Sequence, residues 1–464
     1  MAATIAAVTA LAAPASGCGG GAPDDEIEPA TPVITVWTLE NEPDRMRATR
    51  ENVLALTTGT GIRVRLVGVG DDALAARMAA AKAARRLPDV VQLPLASVHA
   101  YARDGTLDTH AAESVVERLG EDTFSQTALS LVSRRGQLAA VPSDGWGQLL
   151  IYRKDLFRRA GLRAPRSLED VGRAAARLDR DGTAGITLAT APHDAFTAET
   201  FEHVALAAGC RVVDDRGRVT LTSPACRRAF RLYVRLARRD SVGGVQDVDT
   251  TRAAYFAGRA AMIFWSPFLL DAMAGLRDDA VPTCPQCRRD PAFLARHSGL
   301  VGALSSRGGQ PAQFGEIASW GITAGADADA AERFVAFMLS EGYVRWLALS
   351  PQGKYPVRTG DRANPDGYAA AWARLQSGVE RKAPLRRFYS RRSIASLGDG
   401  VRSFTRWGFP QNQAALMGAL RGPQPVTRAL AAAIRGDLGP VAAARRAQAR
   451  VERIAASIRQ PRRG

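Results

Sequence analysis

Between residues 33 and 92 the chain switches repeatedly from a hydrophobic pattern of period two to one of helical period, and this alternation limits the possible folds more than any other feature. Val33-Ile34-Thr35-Val36-Trp37 is a β-rich run, Arg45 to Leu56 has helical composition, and Ile62 to Val67 alternates apolar with polar residues. Asp71 to Arg86 reads as an Ala-rich amphipathic helix with Asp71 as its cap, and Leu87-Pro88-Asp89-Val90-Val91-Gln92 ends that helix and opens a third strand. A β-α-β-α-β unit of this kind forms a parallel sheet with right-handed crossovers and binds ligands at the C-terminal ends of its strands. Strand signals recur at 149–152, 184–188, 260–264 and 317–323, with helices at 167–178, 201–208, 223–238 and 330–339 between them. Beyond Tyr355 the chain reads as helical, so an α/β fold with more than one sheet is predicted. No repeat of 20 to 50 residues stands out, which argues against a solenoid.

With 46% hydrophobic residues the chain has ample material for a core, and its 464 residues suit two or three domains or one large two-lobed unit. Its formal charge of +16 suggests a nucleic-acid binder only until the charge is located. Residues 381–464 hold 18 Arg and Lys against 3 Asp and Glu, so the rest is almost neutral and no nucleic-acid partner is expected. Only Lys82, Lys154, Lys354 and Lys382 are lysines, which with the Ala excess fits a GC-rich coding bias. The basic tail reads as a solvated Arg-rich helix surface, the alternative being contact with anionic lipid headgroups.

Ala2 to Ala13 is an uncharged, mostly apolar run, shorter than the ~20 residues that span a bilayer, and it fits the core of a secretory signal over residues 1–17. Ala15-Ser16-Gly17-Cys18 resembles the bacterial lipobox, which implies cleavage before Cys18 and lipidation of its thiol. The Gly-, Pro- and acid-rich stretch over 18–32 is then a flexible tether, and the mature protein a lipid-anchored one on the extracytoplasmic face of the cell membrane. Export suits disulfides. Cys210 and Cys226 flank two β-rich runs around a Gly-containing turn, and a hairpin there brings them together. Cys284-Pro-Gln-Cys287 is compatible with a local disulfide, a redox pair or half a zinc site; since His297 is the only further ligand nearby, the disulfide is expected and no metal.

Motifs for catalysis are absent. The chain has no Gly-x-Ser-x-Gly, no His-Glu-x-x-His and no P-loop, while Gly59-Thr60-Gly61 and Gly68-Val69-Gly70 lack the third glycine of a dinucleotide fingerprint. Neither an enzyme nor a cofactor is expected.

Five blocks in order carry a resemblance over residues 33–460. They are Ile34-Thr35-Val36-Trp37-Thr38; Leu87-Pro88-Asp89-Val90-Val91 with Tyr101 to Leu107; Ala140 to Trp146 running into Tyr152 to Leu162; Tyr255 to Met262; and Gly353-Lys354-Tyr355-Pro356-Val357-Arg358. Together they resemble the extracellular solute-binding proteins of bacterial sugar ABC importers, the maltose-binding-protein-like group. The resemblance implies a periplasmic-binding-protein-like fold of two α/β lobes joined by hinge crossings, with a helical C-terminal region. Lobe one would comprise 33–147 with 320–355, and lobe two 148–319 with 356–464. It implies a sugar or oligosaccharide ligand held between the lobes, delivery to the transmembrane subunits of an ABC permease, and a monomer. A two-lobed sensory receptor without transport and a secreted glycan hydrolase are the alternatives.

Sugars present apolar C–H faces and a hydroxyl rim, so their clefts need aromatic platforms beside polar side chains. Aromatics are only 6% of the chain, which makes a Trp in a loop after a strand informative. Trp37, Glu40 and Asn41 follow the first strand; Asp144, Trp146 and Gln148 lie at the first crossing that the resemblance implies; Trp265, Ser266 and Phe268 follow the strand ending at Phe264. Phe196 and Thr197 precede a helix, Trp320 lies near the second crossing, Tyr355 and Arg358 near the third, and Trp407 in the tail. All are candidate ligand residues, with core packing the competing role for Trp37, Trp320, Phe196 and Thr197. Trp346 and Trp372 fit amphipathic helices and are expected in the core.

Overall fold

β-branched runs and the helices between them build two sheets in a computed structural model that describes residues 31–306 and 309–459. The expected signal peptide, Cys18 and nearly all of the tether lie outside the described residues. The strands are β1 (Val33–Thr38), β2 (Arg63–Gly68), β3 (Val90–Pro94), a small hairpin of β4 (Ser133–Arg134) and β5 (Gln137–Leu138), β6 (Val141–Gly147), β7 (Leu149–Arg153), β8 (Met262–Trp265), β9 (Ser298–Val301), β10 (Gly315–Ile322) and β11 (Tyr355–Pro356). Six of them form one sheet in the order β11-β6-β10-β3-β1-β2, and three form a second in the order β8-β7-β9. The parallel β1, β2 and β3 are the predicted β-α-β-α-β unit. β10 runs antiparallel between β3 and β6, so its N-terminal residues meet the C-terminal ends of its neighbours.

The helix after β1 spans Pro43–Thr60, with Pro43 in its first turn and Gly61 at its end at φ 75, a left-handed conformation that glycine adopts without strain. The helix after β2 spans Asp71–Ala83. Its cap is Gly70, not Asp71, and Asp71 is its first helical residue.

Two hydrophobic cores result, and the three-stranded sheet belongs to both. Leu149 and Ile151 of β7 and Ile263 and Trp265 of β8 face the first core, while Leu150, Met262 and Phe264 face the second. Period-two alternation thus places every apolar residue of β7 against one core or the other, which is why that strand reads as a continuous hydrophobic run. This sheet, with the helices packed on it, is the second lobe, and the six-stranded sheet centres the first. Because all of β10 lies in the six-stranded sheet, residues 315–319 belong with the first lobe, contrary to the boundary expected from sequence. The segment after β11 also stays with the first lobe, since Arg358 donates to the carbonyls of Leu119 and Leu339. Gly185 marks a close approach in the second lobe, where an added Cβ would lie 1.9 Å from the Ala175 carbonyl oxygen.

Both expected disulfides are present, Cys210–Cys226 and Cys284–Cys287, and Val213 pairs antiparallel with Val219 between the first two cysteines. Trp346 and Trp372 are buried, as expected. Among the described residues no helix is long and apolar enough to cross a membrane. Loop-closure entropy predicts that the Cys210→Ser/Cys226→Ser pair, whose bridge spans 16 residues, loses about 3 kcal/mol of stability. Removing the bridge of separation 3 should cost less. Urea denaturation of the two double variants checks the order, which equal losses would contradict.

Candidate functional site

The C-terminal ends of β1, β2, β3 and β6 and the N-terminal end of β10 share one edge of the first lobe. Facing that edge from the second lobe is the end of β8, where Trp265 pairs with Leu149 at the start of β7. The link between the lobes at β6–β7 is short: Gln148 donates its amide N–H to the Phe314 carbonyl at 2.9 Å, while the Gln313 side chain donates to the Gln148 carbonyl at 2.9 Å. Phe404 of the tail lies across the same junction. Gly315 has to be glycine here, since a Cβ would come within 2.1 Å of the Phe404 ring.

Aromatic rings converge on this junction. Trp146 stands edge-on to Phe268 at 6.1 Å between centroids and tilts toward Phe314 at 5.8 Å. Phe196 packs on Trp265 at 4.4 Å. Phe268 is 39% exposed, Trp146, Phe196 and Ser266 are half-buried, and Trp265 is almost enclosed behind Phe196. Thr197 is buried with no partner for its hydroxyl, and Gln148 donates its side-chain amide to Thr200 while its own carbonyl oxygen is unsatisfied. Those buried polar atoms carry a desolvation cost.

Beside the rings lies an interlobe cavity of about 190 Å³, lined by Ala96 and Glu316 of the first lobe, Glu199 and Glu202 of the second, and Arg406, Trp407 and Arg421 of the tail. Arg406 holds it together. Its guanidinium bonds Glu202 at 3.1 Å and Glu316 from the other lobe, and its carbon lies 4.2 Å from the centre of the Phe314 ring. Glu316 also accepts from the Leu95 amide at 2.8 Å, and Glu202 from the Trp407 amide at 2.7 Å. Trp407 packs on Phe201 and donates its indole N–H to the Cys210 carbonyl at 2.8 Å. Burial, followed by the nearby Glu316 charge, pushes the Glu199 carboxyl up to about 8 against the pull of Arg406 and Arg421. Burial likewise raises Glu202 above the usual carboxylate range despite Arg406. Glu199 is therefore a proton donor at neutral pH, beside carboxylates that accept.

Several sequence candidates lie elsewhere. Trp320 is fully buried against Phe334 and Trp346 in the first core, where it packs. Arg358 is equally enclosed: besides the two carbonyls it bonds Thr123 and Tyr368, which spends its donors on the first lobe. Tyr355 packs on Trp372 beside Gly398 of the helix Arg391–Ser403. Trp37 is half-buried against the first core, and Asn41 is exposed just beyond β1. Glu40 and Asp144 meet at Lys354, 2.7 and 3.4 Å away, and Asp144 also accepts from the Trp346 indole at 2.8 Å. All three charged groups are buried, which makes this triad an internal brace of the first lobe and removes Glu40 and Asp144 from the cleft surface.

Sequence reading missed Glu199, Glu202, Glu316, Arg406 and Arg421. The available signals were slight: Glu199 and Glu202 share a helix face at i, i+3, and Arg406 immediately precedes Trp407. Among the described residues no group of three or more His, Cys, Asp or Glu is placed to hold a metal ion.

Comparison with known proteins follows the same lines. The family described as bacterial extracellular solute-binding protein matches residues 40–345. A curated relative, the putative ABC transporter periplasmic-binding protein YcjN of Escherichia coli (strain K12), is 27% identical over 309 residues, covering 64% of this chain and 66% of its own; the chain thus spans just under two thirds of that relative. Among solved structures, the sugar-binding protein MalE of Xanthomonas citri superposes with a TM-score of 0.70 at 19% identity, over 92% of this chain and 98% of its own. The GacH receptor of Streptomyces glaucescens, solved unliganded and with acarbose, gives a TM-score of 0.69 at 18% identity, over 91% and 98%.

Two outcomes test this geometry. Burial raises the pKa of Glu40 but Lys354 and Arg45 outweigh it and hold the group below its ordinary value, while Lys354 is held above its own by Asp144 and Glu40 against burial. Lys354→Met leaves Asp144 without its cation and Glu40 with Arg45 alone, and should cost about 3–5 kcal/mol near pH 7. The loss should shrink as acid protonates Glu40, since that carboxylate stabilises only above its lowered pKa; a pH-independent loss in urea melts would contradict this. Glu199 has the opposite sign. Its proton stays on in the folded state while the unfolded chain releases it, so stability falls as pH rises from about 4.5 toward 8. Glu199→Gln should therefore gain stability relative to wild type at pH 8 and not at pH 4, as read by denaturation at the two pH values.

Proposed function

The chain belongs to the bacterial extracellular solute-binding protein family, and on that premise we propose that it captures a sugar or oligosaccharide between its lobes and hands it to the transmembrane subunits of an ABC importer. The observation that carries the reading is the junction itself: Trp146 lies opposite Glu316 across β6 and β10 and tilts toward the Phe314 ring that Arg406 covers, with Phe268 beside it, and Phe196 precedes Glu199 by one turn of the same helix. Rings cover the C–H faces of a pyranose, and the protonated carboxyl of Glu199, the other carboxyl oxygens and a guanidinium supply donors and acceptors for its hydroxyls.

Binding is reversible and breaks no bond. A ligand that touches both lobes at once favours the arrangement in which they are closed, and the permease reads that arrangement. The chain works as a monomer on the extracytoplasmic side, held to the membrane by lipid on Cys18. The sugar-binding and acarbose-bound neighbours named above support the ligand class, and the exported-type disulfides support the compartment.

Titrating the mature protein with a panel of mono- and oligosaccharides, read by intrinsic Trp fluorescence and calorimetry, should find at least one saturable ligand. Phe196→Ala and Trp265→Ala should each weaken it by about tenfold or more, the cost of losing an aromatic face or its support. Trp37→Phe, outside the junction, should leave it unchanged. No saturable sugar, or turnover of the sugar to product, would sink the proposal.

A further inference from the structure

The helices Pro425–Arg435 and Pro440–Arg459 form a hairpin joined by four residues and pack on the second lobe through Val426, Leu430, Ala447 and Val451. Turned away from that stripe, Arg428 and Arg435 stand two turns apart on the first helix. Arg446, Arg450 and Arg453 follow at i, i+4 and i+7 on the second, which puts them on one face. All five are exposed and line a single hollow of about 560 Å³, with Ile454 among its apolar lining and Pro192 on its far side.

Charge balance in this hollow is one-sided. Among the described residues Asp437 is the one acidic residue lining it, and it is already taken by Arg435, whose Nε and terminal nitrogen donate to it at 3.1 and 2.8 Å. Among the described residues, Arg428, Arg446, Arg450 and Arg453 have no carboxylate or carbonyl partner for their guanidinium groups. Other surface arginines include many that meet acids: Arg173 with Asp170, Arg218 with Asp214, Arg296 with Asp290, Arg402 with Asp399. What sets this hollow apart is its shortage of acid: the hollow lined by Arg163, Arg166 and Arg392 also carries Asp170 and Asp399, whereas here four unpaired guanidiniums face one carboxylate that is already bonded. Like charges brought together in this way repel, and an anion in the hollow removes the repulsion.

We infer that this hollow is an anion site, distinct from the interlobe cavity, that takes clustered phosphate groups. Guanidinium forks match phosphate oxygens two at a time, and four of them exceed what a single carboxylate can neutralise. The phosphates come either from a soluble polyphosphorylated compound or from phospholipid headgroups at the membrane surface. The inference stands on the arginines alone and does not depend on the sugar reading.

The mature chain titrated with sodium tripolyphosphate by calorimetry tests it. Saturable one-to-one binding is expected, weakening as salt rises toward ~150 mM, where the screening length shortens to about 8 Å. Arg446→Gln/Arg450→Gln should lose tenfold or more in affinity at an unchanged melting temperature, since both residues are exposed and unpaired. Arg345→Gln/Arg374→Gln removes the same charge from exposed positions elsewhere and should bind as wild type. Co-sedimentation with phosphatidylglycerol and with phosphatidylcholine vesicles separates the sources. Retention on the anionic vesicles alone, lost in the Arg446/Arg450 variant, assigns the site to headgroups; tripolyphosphate binding without retention assigns it to a soluble ligand. If the two double variants behave alike with both probes, or neither probe binds wild type, the site does not exist.

Discussion

A single guanidinium, that of Arg406, holds the two lobes in register. It is nearly enclosed, lies over the Phe314 ring, and joins Glu202 of the second lobe to Glu316 of the first. Burying a cation is costly unless its partners are well placed, and here both carboxylates are fixed by further backbone bonds, from Leu95 and from Trp407. Arg406 belongs to neither sheet. It sits on the tail segment just after Thr405, whose amide donates to the Gln313 carbonyl, so the clamp is anchored at the strip of chain that also links the lobes. Separation of the lobes therefore breaks the Glu202 or the Glu316 contact, and a ligand that bonds these carboxylates competes with or completes the same network.

The three-stranded sheet makes this coupling mechanical. Its residues alternate between the two cores, so β7 and β8 cannot shift without disturbing packing on both faces. Trp265 projects from the face that belongs to the first core, and Phe196 rests on it. Aromatic contacts at the junction are thus continuous with a core to which residues of both lobes contribute. Gln148, between β6 and β7, has the whole of this arrangement on either side of it.

Much of the architecture was legible because it rests on local periodicity. Each strand and helix of the parallel β1–β3 unit, the apolar run that opens β7 and the turn between Cys210 and Cys226 is written in a stretch of fewer than twenty residues. What was not legible depends on residues far apart in sequence. Trp320 looked like a cleft residue because of where it stands along the chain, but β10 is a central strand, and that register buries it between Phe334 and Trp346. Glu40 and Asp144 read as solvent-facing hydrogen-bonding groups until Lys354, more than 200 residues from Asp144, is seen to neutralise both. Arg406 was hidden for a different reason: in a tail this rich in arginine, nothing in the sequence separates the one buried clamp from its solvated neighbours.

That tail contains two populations of arginine with opposite energetics. Arg381 and Arg406 reach carboxylates on other segments, Asp278 in one case and Glu202 with Glu316 in the other, and so convert the basic charge into contacts between elements. Arg428, Arg446, Arg450 and Arg453 reach none among the described residues and keep their charge at the surface. The two sets lie on either side of Pro425, which lines both the interlobe cavity and the arginine hollow. The cavity side is balanced by three carboxylates, one of which keeps its proton at neutral pH. An uncharged polyol meets donors and acceptors there, among carboxylates that face Arg406 and Arg421. On the other side of Pro425 four arginines face a single, already paired carboxylate, so one helical hairpin separates a surface of mixed charge from a cationic one.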